Sequence, residues 1–169
     1  MGLSQGSLIA RYIVEECDMK GTVRNYLSIG GPNMGVSDVP GCFGNALCAK
    51  VNFVARHLAY THFVQSFVGP AGYFRDPDHM DHYLNDSEFL PYLNNEKGTD
   101  EEKAARKARF TSLNGAMLVK FTEDTVVYPK ESEWFQQLSE NDTLPAQPLE
   151  ESGFYEYDFI GLRELNENG

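Results

Sequence analysis

The sequence predicts an α/β fold in which a parallel sheet is flanked by helices and carries a mostly helical insertion. Residues 6–17 place apolar side chains at three- and four-residue spacings directly after a Gly-rich turn, and residues 22–29 then read as a strand. Residues 116–121 form a second strand, apolar almost throughout, as buried parallel strands are. A helix followed by a strand is the second half of a β-α-β unit, and this connection makes the sheet parallel.

The first helix should bury one apolar stripe, formed by Leu8, Ile9, Tyr12, Ile13 and Cys17. The strand after it closes at Gly30-Gly31-Pro32. The region from residue 31 to 98 is rich in Gly, Pro and aromatic residues with short helical patterns, which predicts an irregular helical insertion rather than more sheet. After it, Thr99-Asp100-Glu101-Glu102 is a capping-box sequence and should begin a helix that runs through Arg109.

After the second strand, a short helix is predicted over residues 131–138, followed by a polar loop with two prolines over residues 139–152. With 169 residues, 41% of them apolar, the chain suffices for a single compact domain over residues 1–169.

The charge balance argues against a nucleic-acid partner. The formal net charge is −11, with 25 acidic against 14 basic residues, whereas binding to a phosphate backbone rests on clustered Lys and Arg. The one basic cluster follows an acidic run and is expected to be a solvated helix face; it consists of Lys103, Arg106, Lys107 and Arg109. No apolar stretch is long enough to span a bilayer, and no signal peptide follows Met1. The chain is therefore expected to act where it is made or to be a piece of a longer protein.

A G-x-S-x-G motif begins the chain, as Gly2-Leu3-Ser4-Gln5-Gly6. This motif forms a strand-to-helix turn so sharp that the serine is strained and exposed, and both flanking glycines are expected to be needed because side chains there would clash. The turn also aims the backbone N–H of Gln5 toward a developing oxyanion at a helix N-terminus. The helix after the motif favours a nucleophile, and the competing interpretation is an ordinary Gly-rich turn.

A second candidate, Asp124, follows the buried strand and precedes Thr125-Val126-Val127. The chain order serine, then acid, then histidine is that of the α/β-hydrolases, in which the acid orients the catalytic imidazole. The competing interpretation is an Asx-type turn at a strand end. None of the four histidines follows Asp124.

The histidines themselves are weaker candidates. His79 and His82 lie three apart with an aspartate before each, but a solvated surface loop is the favoured interpretation, and no metal or other cofactor is predicted. His57 and His62 lie among apolar residues and are expected to be packed or capping.

Three cysteines, Cys17, Cys42 and Cys48, leave one unpaired in any internal scheme. Asn85 and Asn141 begin N-glycosylation sequons.

Four segments together resemble the palmitoyl-protein thioesterase family. They are Gly-Leu-Ser-Gln-Gly at the start, Leu-Ser-Ile-Gly-Gly-Pro-Asn-Met-Gly-Val at 27–36, Glu-Asp-Thr-Val-Val-Tyr-Pro-Lys-Glu-Ser-Glu-Trp-Phe at 123–135, and residues 155–165. The resemblance runs through essentially the whole chain in one order, so it is far more specific than the serine motif alone.

The resemblance implies a partial α/β-hydrolase fold, with Ser4 as nucleophile, Asp124 as triad acid and Gln5 as an oxyanion-hole amide. It implies that residues 31–115 form a helical lobe with a lipid groove, and that Cys42 and Cys48 form a disulfide within it. The implied activity is metal-free hydrolysis of long-chain fatty acyl thioesters on S-palmitoylated proteins or peptides, through an acyl-serine intermediate. The implied location is the lysosome or secretory pathway.

The family also extends beyond both ends of this sequence and carries its catalytic histidine after the acid. The chain is therefore expected to be a C-terminal fragment that is inactive alone. The rival hypothesis is a non-catalytic fragment that keeps the apolar groove and binds acyl chains or a partner.

Overall fold

The structure, a computed structural model, describes residues 1–39, 54, 57–139 and 143–168. Its main sheet has three strands in the order β1 (Gly2–Leu3), β2 (Asn25–Ile29) and β3 (Gly115–Val119), all parallel. Leu3 pairs with Ile29, and Ile29 pairs with Val119. All three strands thus end level at one edge of the sheet. The prediction of a parallel sheet flanked by helices is confirmed.

Both longer strands are shorter than predicted. β2 begins at Asn25 rather than at residue 22, and β3 ends at Val119 rather than at residue 121. β3 ends early because the N–H of Phe121 donates to a side-chain oxygen, Glu133 Oε2, instead of to a strand carbonyl.

Helix α1 (Gln5–Glu16) follows β1 after a single residue, as expected, but it buries a different face from the predicted one. The buried side chains are Ser7, Leu8, Arg11 and Glu15. The expected stripe survives only at Leu8, since Ile9, Tyr12 and Ile13 are exposed. The inner face is polar because Arg11 and Glu15 form a buried ion pair at 2.7 Å, and Arg11 also donates to the carbonyl of Leu93 at 2.6 Å.

Between β2 and β3, the regular elements of the described residues are helical. They are α2 (His62–Phe67), a 3₁₀ turn (Gly69–Tyr73), α3 (Met80–Asp86), α4 (Leu90–Leu93) and α5 (Asp100–Thr111). An isolated parallel bridge joins Val36 to Phe74. The core of this region is built from Tyr73, Phe74, Tyr83, Leu90 and Leu93, together with Leu8 of α1.

The capping box at the start of α5 is confirmed. The N–H of Glu102 donates to Thr99 Oγ1 at 3.3 Å, and the N–H of Thr99 donates to Glu102 Oε2 at 2.8 Å. These reciprocal bonds satisfy two of the N–H groups that a helix start leaves without intrahelical partners.

The basic side chains of α5 form only in part the solvated face that the sequence predicts, since Arg109 is exposed but Arg106 is buried. Arg106 is buried and pairs with Glu16 at 2.7 Å, while Lys107 pairs with Asp158 at 2.9 Å. Arg109 donates to the carbonyl of Glu15. These cations fix α5 against α1 and the C-terminal segment, and a sequence pattern cannot reveal such distant partners.

The C-terminal part differs from its prediction. A 3₁₀ helix (Lys130–Trp134) replaces the expected helix over 131–138, and β4 (Gln137–Ser139) pairs antiparallel with β5 (Thr143–Gln147) where a loop was predicted. The loop was predicted from the two prolines, but both strands of an isolated two-stranded pair are edge strands, in which proline is tolerated. A 3₁₀ turn (Leu149–Glu151), α6 (Gly153–Glu156) and α7 (Leu162–Asn168) follow.

A second core lies under α5 and the C-terminal helices, where Phe110, Phe135, Phe154 and Ile160 pack together. In the part of the chain that the structure describes, every helix is too short or too polar to cross a membrane.

Candidate active site

Ser4 occupies the turn between β1 and α1 in a strained conformation. Its φ is 51° and its ψ is −129°, a region that non-glycine residues rarely adopt and that costs about 1–3 kcal/mol. Its N–H donates to the carbonyl of Ile29 at 2.8 Å, which ties the turn to β2, and its side chain is exposed. The geometry is that of a serine held out from a strand-to-helix turn, as the motif predicts.

The two motif glycines are not equivalent. A Cβ at Gly2 would lie 2.3 Å from both the carbonyl oxygen of Gly6 and the Cα of Ser7, so no side chain fits there. A Cβ at Gly6 would meet no atom of the described chain within 4 Å. The expectation that a side chain at Gly6 would clash is therefore wrong for the described residues, because Gly6 already lies on the open side of the first helical turn.

A further glycine beneath the turn was missed by sequence reasoning. A Cβ at Gly31 would lie 2.4 Å from the side chains of Ser7 and Ser28. Gly31 therefore lets the chain after β2 pass directly under the serine turn. The only sequence signal is its place in the Gly30-Gly31-Pro32 run.

Gln5 is the first residue of α1, so its backbone N–H has no carbonyl one turn earlier to bond. A free N–H at a helix N-terminus, next to the serine, can stabilise a developing oxyanion. The Gln5 side chain lies against the insertion, where a Cβ at Gly69 would be 2.8 Å from its Nε2.

Asp124 lies in the turn that follows β3. Its Oδ1 accepts hydrogen bonds from the N–H groups of Val126 (2.5 Å) and Val127 (2.9 Å), and its own N–H donates to the carbonyl of Phe121 at 3.3 Å. The Asx-turn geometry of the competing interpretation is thus present, and it fixes the carboxylate at the edge of the sheet.

Ser4 and Asp124 lie at the same edge of the sheet, with β2 between their strands. Two strand spacings separate β1 from β3 by roughly 10 Å. A bridging side chain such as an imidazole is needed to couple two groups across such a gap.

Glu133 is a candidate site residue that sequence reasoning did not find. Its side chain is 0% exposed, and its Oε2 accepts a hydrogen bond from the N–H of Phe121 at 2.9 Å. Burial raises the pKa of Glu133 to about 7, and the negative charge of nearby Asp124 adds to this rise. The local sequence Ser-Glu-Trp-Phe does not indicate a buried acid, because Glu133 is buried by distant parts of the chain.

Two of the segments that carry the family resemblance contact each other here. Asn33 Nδ2 donates to Ser28 Oγ at 3.2 Å and to the carbonyl of Glu133 at 3.0 Å. Ser132 Oγ accepts from the N–H of Met34 at 3.0 Å and donates to the carbonyl of Gly35 at 2.6 Å. The turn after β2 and the 3₁₀ helix over 130–134 are thereby locked together.

The histidines bond carboxylates elsewhere. The Nδ1 atoms of His62, His79 and His82 contact Glu88 (2.7 Å), Asp76 (3.0 Å) and Asp86 (2.9 Å), respectively. Of the two expectations for His57 and His62, packed or capping, the structure excludes packing, since both side chains are exposed, His62 in its ion pair with Glu88. Over the described ranges, no three His, Cys, Asp or Glu side chains come together as a metal site.

The predicted disulfide, Cys42–Cys48, and the sequon at Asn141 lie outside the described residues. Cys17 is an exposed free thiol. Asn85 is exposed near the end of α3, and the hydroxyl of its sequon partner Ser87 is buried against the carbonyl of Gly72.

The fold and the site define an α/β protein with a strained, exposed serine and a fixed carboxylate at the carboxyl edge of a parallel sheet. The palmitoyl protein thioesterase family model matches residues 1–169, and the chain belongs to this family.

Similar proteins include Palmitoyl-protein thioesterase 1 of Caenorhabditis elegans, 35% identical over 100% of the chain and 56% of that protein. Palmitoyl-protein thioesterase 3 of Dictyostelium discoideum is 34% identical over 99% of the chain and 56% of that protein. Lysosomal thioesterase PPT2 homolog of Drosophila melanogaster is 32% identical over 100% of the chain and 57% of that protein. The chain spans about half the length of the curated relatives it matches.

Proposed function

We propose that this chain carries the nucleophile and acid of an α/β-hydrolase that cleaves long-chain fatty acyl thioesters from S-palmitoylated proteins or peptides. The observation that carries the proposal is the strained, exposed Ser4, placed at the same sheet edge as Asp124. Family membership and the thioesterase names of the relatives support the choice of a thioester over an ester.

In this mechanism, Ser4 Oγ attacks the thioester carbonyl and the thiol of the substrate leaves, which gives an acyl-serine that water then hydrolyses. The N–H of Gln5 donates to the oxyanion of each tetrahedral intermediate; removing one such donor typically costs about 10²–10³-fold in rate. Asp124 orients a histidine and stabilises its charged form. The steps need neither a metal nor another cofactor.

The general base is the missing member of this set within residues 1–169. His62, His79 and His82 already bond Glu88, Asp76 and Asp86, and no histidine follows Asp124 in the sequence. The triad therefore needs a histidine that residues 125–169 do not supply.

An apolar surface for the acyl chain is proposed on the insertion, residues 31–115, next to the serine. Phe63 and Phe67 of α2 contact each other with ring centroids 5.0 Å apart and ring planes tilted by 39°, and they are 71% and 76% exposed. The segment continues to Gly69, which lies against Gln5 beside Ser4. A chain lying on these rings gains about 0.8 kcal/mol per buried CH₂, which favours long acyl groups over short ones.

The proposed location is the lysosome or secretory pathway. Relatives named lysosomal thioesterases support it. Asn85 is exposed, so its side chain is accessible to N-glycosylation in that pathway.

The nucleophile is tested by labelling the protein encoded by the complete reading frame with a fluorophosphonate. We expect Ser4→Ala to abolish both labelling and palmitoyl-thioester hydrolysis, because no other residue forms the acyl intermediate. Ser112→Ala is the control, since this exposed serine caps α5 far along the chain and should keep full labelling. Labelling that persists in Ser4→Ala would refute the assignment.

The acyl surface is tested by comparing palmitoyl and acetyl thioesters. We expect Phe67→Ser to raise the KM for palmitoyl substrates several-fold while leaving acetyl cleavage unchanged. Tyr157→Ser is the matched control, because Tyr157 is similarly exposed (72%) but lies in the C-terminal segment. Equal effects of Phe67→Ser on both substrates would exclude this surface.

The second candidate is a non-catalytic fragment that binds acyl chains or a partner. It is favoured by the exposed rings of Phe63 and Phe67, which could bind an apolar chain without any catalytic group. A purified 1–169 chain that binds a fatty acid but cleaves no thioester, beside an equally inactive protein from the complete reading frame, would support this candidate over the enzyme.

A further inference from the structure

Glu133 has a buried carboxyl group of which only one oxygen has a hydrogen-bond donor. Its Oε2 accepts from the N–H of Phe121, while its Oε1 is buried with no donor among the described residues. A buried carboxylate oxygen left without a donor is destabilising, because it has lost its water and gained no other hydrogen bond. A neutral carboxylic acid avoids this cost, since a protonated Oε1 becomes a donor itself.

Two charged side chains face this carboxyl group, Asp124 and Lys120. The ammonium of Lys120 lies 4.2 Å from the centroid of the Trp134 ring and 4.0 Å from Glu131, and it makes no hydrogen bond to Glu133. Asp124 lies in the same turn, because its N–H donates to the carbonyl of Phe121 and the N–H of Phe121 donates to Glu133 Oε2. The negative charge of Asp124 therefore disfavours a second charge on Glu133.

The proton belongs on Glu133. Asp124 is only half buried, and its Oδ1 accepts two backbone hydrogen bonds, from Val126 and Val127. Glu133 is fully buried and accepts a single backbone bond, which leaves its charged form poorly solvated.

We propose that Glu133 is a positioning residue for the triad acid: its neutral carboxyl donates a hydrogen bond to the Asp124 carboxylate while accepting one from the N–H of Phe121. The proposal rests on the proposed function only in calling Asp124 the triad acid. Glu133 thus binds both ends of the 121–124 turn. Asp124 is held in one orientation, with its charge directed toward the imidazole that it must orient.

This arrangement makes the site sensitive to pH. Burial and the charge of Asp124 raise the pKa of Glu133 to about 7, so the proton is present in acidic solution and lost above neutrality. After its loss, two anions face each other and the turn that carries Asp124 is destabilised. Activity should therefore fall as pH rises through about 7, in addition to any titration of the histidine.

The functional test uses the protein from the complete reading frame with Glu133→Gln and Glu133→Ala. The glutamine amide donates to Asp124, and its carbonyl accepts from Phe121, at every pH. We expect Glu133→Gln to keep kcat at pH 5 within about threefold and to lose the decline near pH 7. Glu133→Ala lacks both bonds and should lose at least tenfold in kcat at both pH values, with little change in KM.

The geometric test needs no activity. The carboxyl carbon of Glu133 is followed by NMR during a pH titration of the protein and of Asp124→Asn. We expect its pKa to fall in Asp124→Asn, because the repelling charge is gone. An unchanged pKa would overturn the contact between the two carboxyl groups. An unchanged pH profile in Glu133→Gln would overturn the positioning role.

These outcomes are separable from the proposed function. If Ser4→Ala remained active while the two carboxyl groups still titrated together, the hydrolase assignment would fail and the coupling would stand. If Ser4→Ala were inactive and the coupling absent, the hydrolase assignment would stand and the coupling between the two carboxyl groups would fail.

Discussion

Replacing Gly2 by alanine should disrupt the serine turn, and the size of the effect follows from the structure. The added Cβ would lie 2.3 Å from the carbonyl oxygen of Gly6 and from the Cα of Ser7, whereas ordinary contact begins at 3.4 Å. Both contacts are with the backbone of α1, so no side chain can rotate away. The start of α1 must therefore move from β1 by about 1 Å.

A shift of this size affects both stability and chemistry. Overpacking typically costs about 1–3 kcal/mol, and contact with backbone places Gly2→Ala at the upper end. In a protein about twice the length of this chain, as the relatives are, about 3 kcal/mol corresponds to a fall in Tm of roughly 4–6 °C. A 1 Å misplacement of a reacting group can cost about 10²-fold in rate, so labelling of Ser4 by a fluorophosphonate should slow about a hundredfold.

The matched control is Gly6→Ala, in the same motif. Its Cβ meets no described atom within 4 Å, and alanine is a better helix former by up to about 1 kcal/mol. We expect Gly6→Ala to label at the wild-type rate with an unchanged or higher Tm. Both variants are measured by circular dichroism and labelling in the protein from the complete reading frame. A Gly2→Ala protein with wild-type values, or a Gly6→Ala protein as damaged as Gly2→Ala, would refute the steric argument.

Three further predictions concern other parts of the chain. Thr99→Ala removes the capping-box acceptor of Glu102 and should lower the free energy of unfolding by about 1 kcal/mol in urea; an unchanged midpoint would contradict it. Folding raises the pKa of Glu133 from 4.5 to about 7, so its stabilising contribution should be complete below pH 4.5 and lost as pH rises to about 7, with no such loss in Glu133→Gln. Unreduced digests of secreted protein should show a Cys42–Cys48 disulfide by mass spectrometry, and two free thiols would exclude the pairing.

Patterns of short range let the sequence predict much of the scaffold. Two patterns predicted the parallel sheet: the apolar run at 116–121, which is typical of a strand buried on both faces, and the helix that directly follows the turn at Ser4. Both patterns can be read from neighbouring residues. The capping box at Thr99 was equally local, since both of its partners lie within four residues. Ser4 and Asp124 were predicted from equally local signals, the Gly-x-Ser-x-Gly motif and an acid shortly after an apolar strand, and their catalytic roles stay predictions.

Tertiary contacts decided what those patterns could not. Ile9, Tyr12 and Ile13 fit an apolar stripe, yet α1 turns Arg11 and Glu15 inward, because they pair with each other and Arg11 bonds residues far along the chain. The basic side chains of α5 were predicted to be solvated because the partners of Arg106 and Lys107 lie tens of residues away in the sequence.

The sequence alone predicted the candidate nucleophile and the candidate acid, because glycine motifs and strand ends are local signals. Only the tertiary structure decided which glycine the serine turn requires and that Glu133, near Asp124, is a buried acid. Gly2 and Gly6 are indistinguishable in the motif but differ in how closely α1 approaches them. Glu133 becomes a buried acid only when the 3₁₀ helix packs on the end of β3, because burial and the charge of a neighbour are properties of the packed chain.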